Sequence, residues 1–111
     1  MISASLVLYH NKKSDIDNVI QSILNSRIDC LCIVDHSNDD NYRSLTKLSD
    51  RIHYIHTFND GYGKGHNTGY EYCKKFIDSD YHVVINPDIY FEPDAIDALA
   101  LYMDNHHDVG Q

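Results

Sequence analysis

This sequence is short of positive charge. Nine Lys and Arg residues stand against 17 Asp and Glu, a formal net charge of -8 with His neutral. A nucleic-acid groove needs a basic face, so that class of partner is excluded. Long apolar runs are missing too. No segment approaches the roughly 20 apolar residues of a membrane span, and the amino terminus has a short apolar run with no cationic leader, unlike a signal peptide. There is no internal repeat, low-complexity tract or linker-like stretch. Cysteines number three, with Cys30 and Cys32 expected on opposite faces of a strand. An odd count in that arrangement argues for reduced thiols in a cytosol. Cys30-x-Cys32 lacks the second pair that a zinc site would need.

What is present suits one domain, or part of one, with a real core: 111 residues, 42% of them apolar. Eight His residues would remove much of the negative charge on mild acidification. Ser3 to Tyr9 reads as a strand, followed by a helix with Ser14 as N-cap, Asp17 completing a variant capping box, and the stripe Ile16, Val19, Ile20, Ile23, Leu24. Leu31 to Asp35 is a second strand. A polar loop over Ser37 to Asn41 and a short helix carrying Leu45 and Leu48 lead to a third strand, Ile52 to His56. The glycine-rich stretch Asn59 to Asn67 reads as a loop opening a helix, with Thr68 and Glu71 at capping-box spacing and Tyr70, Cys73, Phe76 and Ile77 turned inward. A fourth strand spans His82 to Asn86. Pro93 then opens a helix with the stripe Ala95, Ile96, Leu99, Ala100, Met103, and Val109-Gly110 begins a further strand.

Strands separated by helices pair in parallel through right-handed crossovers, which makes this an α/β, Rossmann-like, mostly parallel sheet with flanking helices. Ligands in such sheets bind beyond the carboxyl ends of the strands, where strand order reverses. Each unusual polar cluster falls on that edge: Tyr9-His10-Asn11, Asp35-His36-Ser37, the glycine stretch, and Asn86-Pro87-Asp88. Asn, Pro and Asp are ordinary turn formers, but Asp88 closes an apolar run, where a charge needs a cation or donors to compensate it. As a hard oxygen ligand it suits Mg²⁺ or Mn²⁺, with diphosphate oxygens and waters filling the octahedron. Asp35 either starts a loop or accepts hydrogen bonds from a base N–H or ribose hydroxyl, and the edge it shares with Asp88 favours the second.

The glycine stretch is neither a dinucleotide fingerprint, since position 66 is His66, nor a P-loop, since Lys64 is followed by Gly65. A backbone nest for an anion or flat ring remains, beside the plain alternative of a flexible connector. Asn59, Lys64, His66 and Asn67 weigh towards binding. His53 and His56 fall on opposite strand faces and do not share a metal.

Four pieces in series resemble family 2 glycosyltransferases of the GT-A fold, closest to the rhamnosyltransferase-like branch: Leu8-Tyr9-His10-Asn11, Ile33-Val34-Asp35-His36-Ser37, Asn59-x-Gly61-Tyr62-Gly63-x-Gly65-His66-Asn67-x-Gly69, and Ile85-Asn86-Pro87-Asp88. The resemblance covers nearly the whole chain. It implies a cytoplasmic enzyme of bacterial surface polysaccharide synthesis, at the inner face of the membrane in the full-length protein. Tyr9, His10, Asn11, Asp35, Ser37, Gly61, Gly63, Lys64, Gly65, Asn67 and Asn86 would contact a nucleotide-sugar donor, and Asp88 would hold the divalent cation. Asn86 stands where many relatives carry the first acid of Asp-x-Asp, which suits a deoxythymidine donor such as dTDP-rhamnose alongside the UDP-sugars. The acceptor, a saccharide or lipid-linked saccharide, and the catalytic base would be handled beyond Gln111. Residues 1–111 then form a truncated amino-terminal, nucleotide-sugar-binding portion, inactive alone, whose exposed edges would favour homo-oligomers. The alternatives are a phosphoacceptor signalling domain, which wants acids after its first strand, a nucleotidyltransferase, which wants a basic glycine loop there, and an α/β binding domain without catalysis.

Overall fold

The computed structural model of the chain describes residues 1–57, 62–87, 95 and 98. Strands β1 (Ile2–Leu8), β2 (Cys30–Asp35), β3 (Ile52–His56) and β4 (Tyr81–Ile85) are joined by helices α1 (Lys13–Leu24) and α2 (Tyr62–Cys73) and by a 3-10 helix over Asn41–Leu48. The sheet runs β3-β2-β1-β4, every pair parallel. Chain order steps outward from β1 to β3, then returns to the far side of β1, so the switch point lies between β1 and β4. This is the expected Rossmann-like α/β sheet. A phosphoacceptor domain of flavodoxin-like order would set β3 beside β1; here β3 pairs with β2, which removes that alternative.

Strand alternation sorts the core into two layers. Ile2, Ala4, Leu6 and Leu8 of β1 face Ile16, Val19, Ile20 and Ile23 of α1, together with Leu31, Ile33, Ile52, Tyr54 and Ile85. Val7, Cys30, Cys32 and Val34 pack on Cys73 of α2 across the other face. Each buried Ile or Leu contributes on the order of 1.5–3 kcal/mol. Cys30 and Cys32 therefore share a face, against the expectation, because residues two apart in a strand point the same way. All three cysteines are free thiols.

The stripe of α1 is as read, but its start is not. Lys12 is the N-cap and makes no side-chain capping bond; Asp17 pairs instead with the Lys13 ammonium at 2.6 Å. Beyond the other end, the Arg51 guanidinium donates to the carbonyls of Leu24 at 2.7 Å and Ile28 at 2.8 Å. That supplies donors to carbonyls at and beyond the helix end and sets a cation against the negative end of its dipole.

The larger difference is α2. It begins at Tyr62, so Gly63, Lys64, Gly65 and Asn67 lie within a helix and not in a loop, and Thr68 is no cap. Glycine costs about 1 kcal/mol in a helix, and close packing is the return. A Cβ on Gly69 would stand 2.7 Å from the Ser5 Cβ, and one on Gly65 2.8 Å from a Val7 methyl. The inner face is Gly65, His66, Gly69 and Cys73. Tyr70 and Phe76, expected inside, are exposed, while Ile77 does pack inward.

β4 is an edge of the sheet among the described residues, and its Val84 is 56% exposed. The apolar run that suggested a fully buried strand is half covered. Of the last helix, Ala95 is described together with Ala98; both are helical, and Ala95 is exposed, not inward. The strand expected at Val109-Gly110 lies outside the described residues. No helix among the described residues is long and apolar enough to cross a membrane.

Candidate functional site

The carboxyl ends of β1 and β2 are tied together by their own backbone. His36 N–H donates to the Leu8 carbonyl at 2.8 Å, and Thr57 N–H to the Asp35 carbonyl at 3.0 Å. Directly after β1 the chain turns through His10, whose φ of 53° is left-handed, a conformation that costs a non-glycine residue of the order of 1 kcal/mol. His10 N–H donates to Ser37 Oγ at 3.0 Å, Tyr9 N–H to Asn11 Oδ1 at 2.8 Å, and the His56 Nε2 lies 2.7 Å from the Ser37 carbonyl. Tyr9, His10, Asn11, Asp35 and Ser37 thus form one rim, with the Tyr9 and His10 side chains exposed above it.

Asp35 is fully buried. Its Oδ1 accepts from Ser37 N–H at 2.9 Å, and its Oδ2 accepts the Tyr54 hydroxyl. Burial first, then this bond to Asp35, pushes the Tyr54 phenol far up, so Tyr54 stays a neutral donor at working pH. A carboxylate offers about four acceptor directions; two are committed, and the rest are what a hydroxyl or base N–H would use. Because Asp35 follows Leu31 and Ile33 in alternation, it lies in the α1 layer of the sheet, beside Tyr54.

The α2 residues lie on the other side. Lys64 and Asn67 are exposed and line a groove of about 460 Å³ with Ile55 and Tyr72. Gly63 and Gly65 lie in the helix and not in a loop nest, and Gly65 packs against the sheet. Asn86 follows Ile85, which is in register with Leu6, and this puts Asn86 level with the end of β1 beside the switch point. Gly61 and Asp88 lie outside the described residues.

Two histidines outside the expected contact set occupy key places. His36 is buried, its Nδ1 lies 3.3 Å from the Thr57 carbonyl, and its Nε2 has no partner among the described residues. Gly65 is the residue packed against that Nε2. His66, weighed above as a binding residue, is buried under the sheet, with its Nδ1 on the Ser5 hydroxyl. That hydroxyl also meets His82 Nε2 at 3.1 Å, while His82 Nδ1 meets Ser3 Oγ at 2.7 Å. A polar seam of two serines and two imidazoles runs between α2, β1 and β4. The Ser-x-Ser alternation inside an apolar strand was its visible signal.

The seam makes the fold sensitive to acid. An unfolded His titrates near 6.5, and His82 is pushed down to about 4, by burial first and by His66 second; burial lowers His66 too. Between those values the unfolded chain binds protons that the fold refuses. Stability held above pH 6.5 is therefore lost as pH falls towards 4. Thermal melts between about pH 7 and about pH 5 should show the midpoint dropping, and His82→Gln should flatten that drop. Equal slopes for both proteins would remove the seam as its cause.

Among the described residues no three His, Cys, Asp or Glu side chains gather as a metal site. Asp35 has an oxygen bound to each of two protein donors, so the described rim alone does not fit a divalent cation.

Residues 6–110 match the family model described as Glycosyl transferase family 2. A crystal structure of S. aureus TarS 1-349 is similar at a TM-score of 0.71 and 19% identity, over 96% of this chain and 33% of that one. S. aureus TarS 1-349 in complex with UDP gives 0.76 and 18%, over 96% and 32%. The chain thus spans about a third of those structures, and at this identity the likeness is one of fold. No curated protein sequence matches.

Proposed function

The chain belongs to glycosyl transferase family 2, and on that premise we propose that its carboxyl-end rim binds the nucleotide part of a sugar donor for an inverting glycosyl transfer. The family match over residues 6–110 carries the reading. Asp35, with acceptor directions left unused by the Ser37 N–H and the Tyr54 hydroxyl, takes the ribose or base. Tyr9, His10 and Asn11 border the nucleoside, and Lys64 and Asn67 approach from α2. Asn86 stands at the switch point, where the diphosphate would cross. Asp88, two residues on, is assigned to the Mg²⁺ or Mn²⁺ of the diphosphate, whose charge would be neutralised as it departs. The base that deprotonates the acceptor hydroxyl is assigned to none of these residues. The acceptor is a saccharide or lipid-linked saccharide of a bacterial surface polymer.

The UDP-bound neighbour supports trying a uridine nucleotide first, while the Asn86 amide favours a deoxythymidine donor such as dTDP-rhamnose. Titration calorimetry with UDP and dTDP, each with and without Mn²⁺, decides between them. We expect saturable binding that Asp35→Asn or Asp88→Asn weakens about tenfold, equivalent to about 1.4 kcal/mol. Absence of heat with every nucleoside diphosphate would overturn the donor site, and a clear preference for UDP would remove the dTDP assignment.

A further inference from the structure

The three thiols play no part in the rim. Cys30, Cys32 and Cys73 are all buried, yet they are not equivalent. Cys30 opens β2, and Cys73 closes α2. The helix comes close over the sheet because Gly69, one turn before Cys73, presents no Cβ to Ser5. As a result the Cys73 Sγ lies 3.2 Å from the Cys30 Sγ. It lies 3.8 Å from the Ala4 carbonyl. A disulfide needs its sulfurs about 2.05 Å apart, so closure asks for a movement of about 1 Å, within the reach of side-chain rotation.

We infer that Cys30 and Cys73 form an oxidisable pair that closes to a disulfide when the folded protein meets a hydroperoxide, leaving Cys32 as a thiol. The contact between the two sulfurs lowers the Cys30 thiol and raises that of Cys73, which makes Cys30 the attacking sulfur. It takes the terminal oxygen of hydrogen peroxide, the O–O bond breaks, and after proton uptake water leaves and a sulfenic acid remains. The Cys73 sulfur then displaces the sulfenic oxygen, which departs as a second water carrying the Cys73 proton. Two thiols lose two hydrogens and two electrons, and one peroxide becomes two waters. Cys32 is set apart by geometry, since among the described residues the sulfur–sulfur contact joins Cys30 to Cys73 and none joins Cys32 to either.

The bond would fasten the foot of α2 to the start of β2. Asp35 is at the opposite end of that strand, roughly 16 Å away at about 3.3 Å per residue. The latch therefore acts on helix stability and leaves the rim untouched, and it stands whether or not the rim binds a nucleotide.

The test treats the folded, reduced chain with hydrogen peroxide, then alkylates it in denaturant. We expect alkylatable thiols to fall from three to one, a mass loss of two hydrogens, and a single cross-linked peptide pair joining Cys30 to Cys73. The thermal midpoint should rise and return to its starting value with dithiothreitol. Cys32→Ala should still cross-link, while Cys30→Ala and Cys73→Ala should not; should either of the latter fail to fold, the wild-type peptide map decides. Three thiols surviving, a bond to Cys32, or a bond formed only in denaturant would overturn the pair.

Discussion

Gly69→Val should lower the thermal midpoint by about 10–20 °C. The Cβ alone would stand 2.7 Å from Ser5 Cβ, 3.4 Å from a Val34 methyl and 3.6 Å from Ser5 Cα. The first neighbour sits on a central strand paired on both sides, so it has no free direction in which to yield. The helix must lift instead, which opens the contact of Cys73 with the sheet and stretches the Ser5–His66 bond. Overpacking of this kind costs typically 1–3 kcal/mol, and valine's two further methyls put this site at the upper end. Removing a helical glycine returns at most about 1 kcal/mol, so the clash wins. At 4–8 °C per kcal/mol for a domain of this size, the shift is easily measured by circular dichroism. Glu71→Ala, on the exposed face of the same helix, should change little and serves as the control. A Gly69→Val protein that melts with the wild type would mean that α2 does not sit at this distance.

Asp35→Ala should be comparably severe, for the opposite reason. Removing the carboxylate strands two donors that now point at it, Ser37 N–H and the Tyr54 hydroxyl. Each buried donor left unsatisfied costs about 1–3 kcal/mol, so a loss of about 2–4 kcal/mol is expected, and the turn that carries His36 and Ser37 loosens with it. Tyr54→Phe separates structure from binding. It removes one partner of Asp35 but leaves the carboxylate, so its stability loss should be about 1 kcal/mol. If Asp35 contacts a nucleotide, Asp35→Asn should weaken that binding more than Tyr54→Phe does, although both are mild for the fold. Calorimetry beside thermal melts reads both quantities; equal binding losses would make Asp35 a scaffold for the turn and nothing more.

Much of the frame was legible in the residues because it rests on periodicity. β3 ran from Ile52 to His56 as expected, β2 began one residue earlier and ended as expected, and β1 and β4 shifted by one residue. The α1 stripe held because Ile16, Val19, Ile20 and Ile23 can share one face only in a helix. The starts of the helices were misread. Local capping signals at Ser14 and Thr68 lost to packing, which set the α2 start before a run of glycines that looked like a loop. Glycine marks a turn or a close approach with equal right, and only the neighbour across the gap decides which.

Of the candidate site, Tyr9, His10, Asn11, Asp35 and Ser37 came together on one rim, since strand ends in a parallel sheet share an edge whatever the side chains are. The structure alone supplied the commitment of Asp35 to Tyr54 and the burial of His36 and His66. These depend on residues many positions away, 19 in the case of Tyr54 and Asp35, and no local pattern encodes them.

Alternation of apolar residues and the order of strands and helices, read from the chain alone, determined the α/β class and the edge where polar groups collect, because side-chain direction in a strand or helix follows from backbone geometry. Only the tertiary structure decided which face each polar group shares and what it touches. The distance between α2 and β1, set by Gly65 and Gly69 against Val7 and Ser5, is a long-range contact, and it places the thiols, the histidine seam and the rim relative to one another.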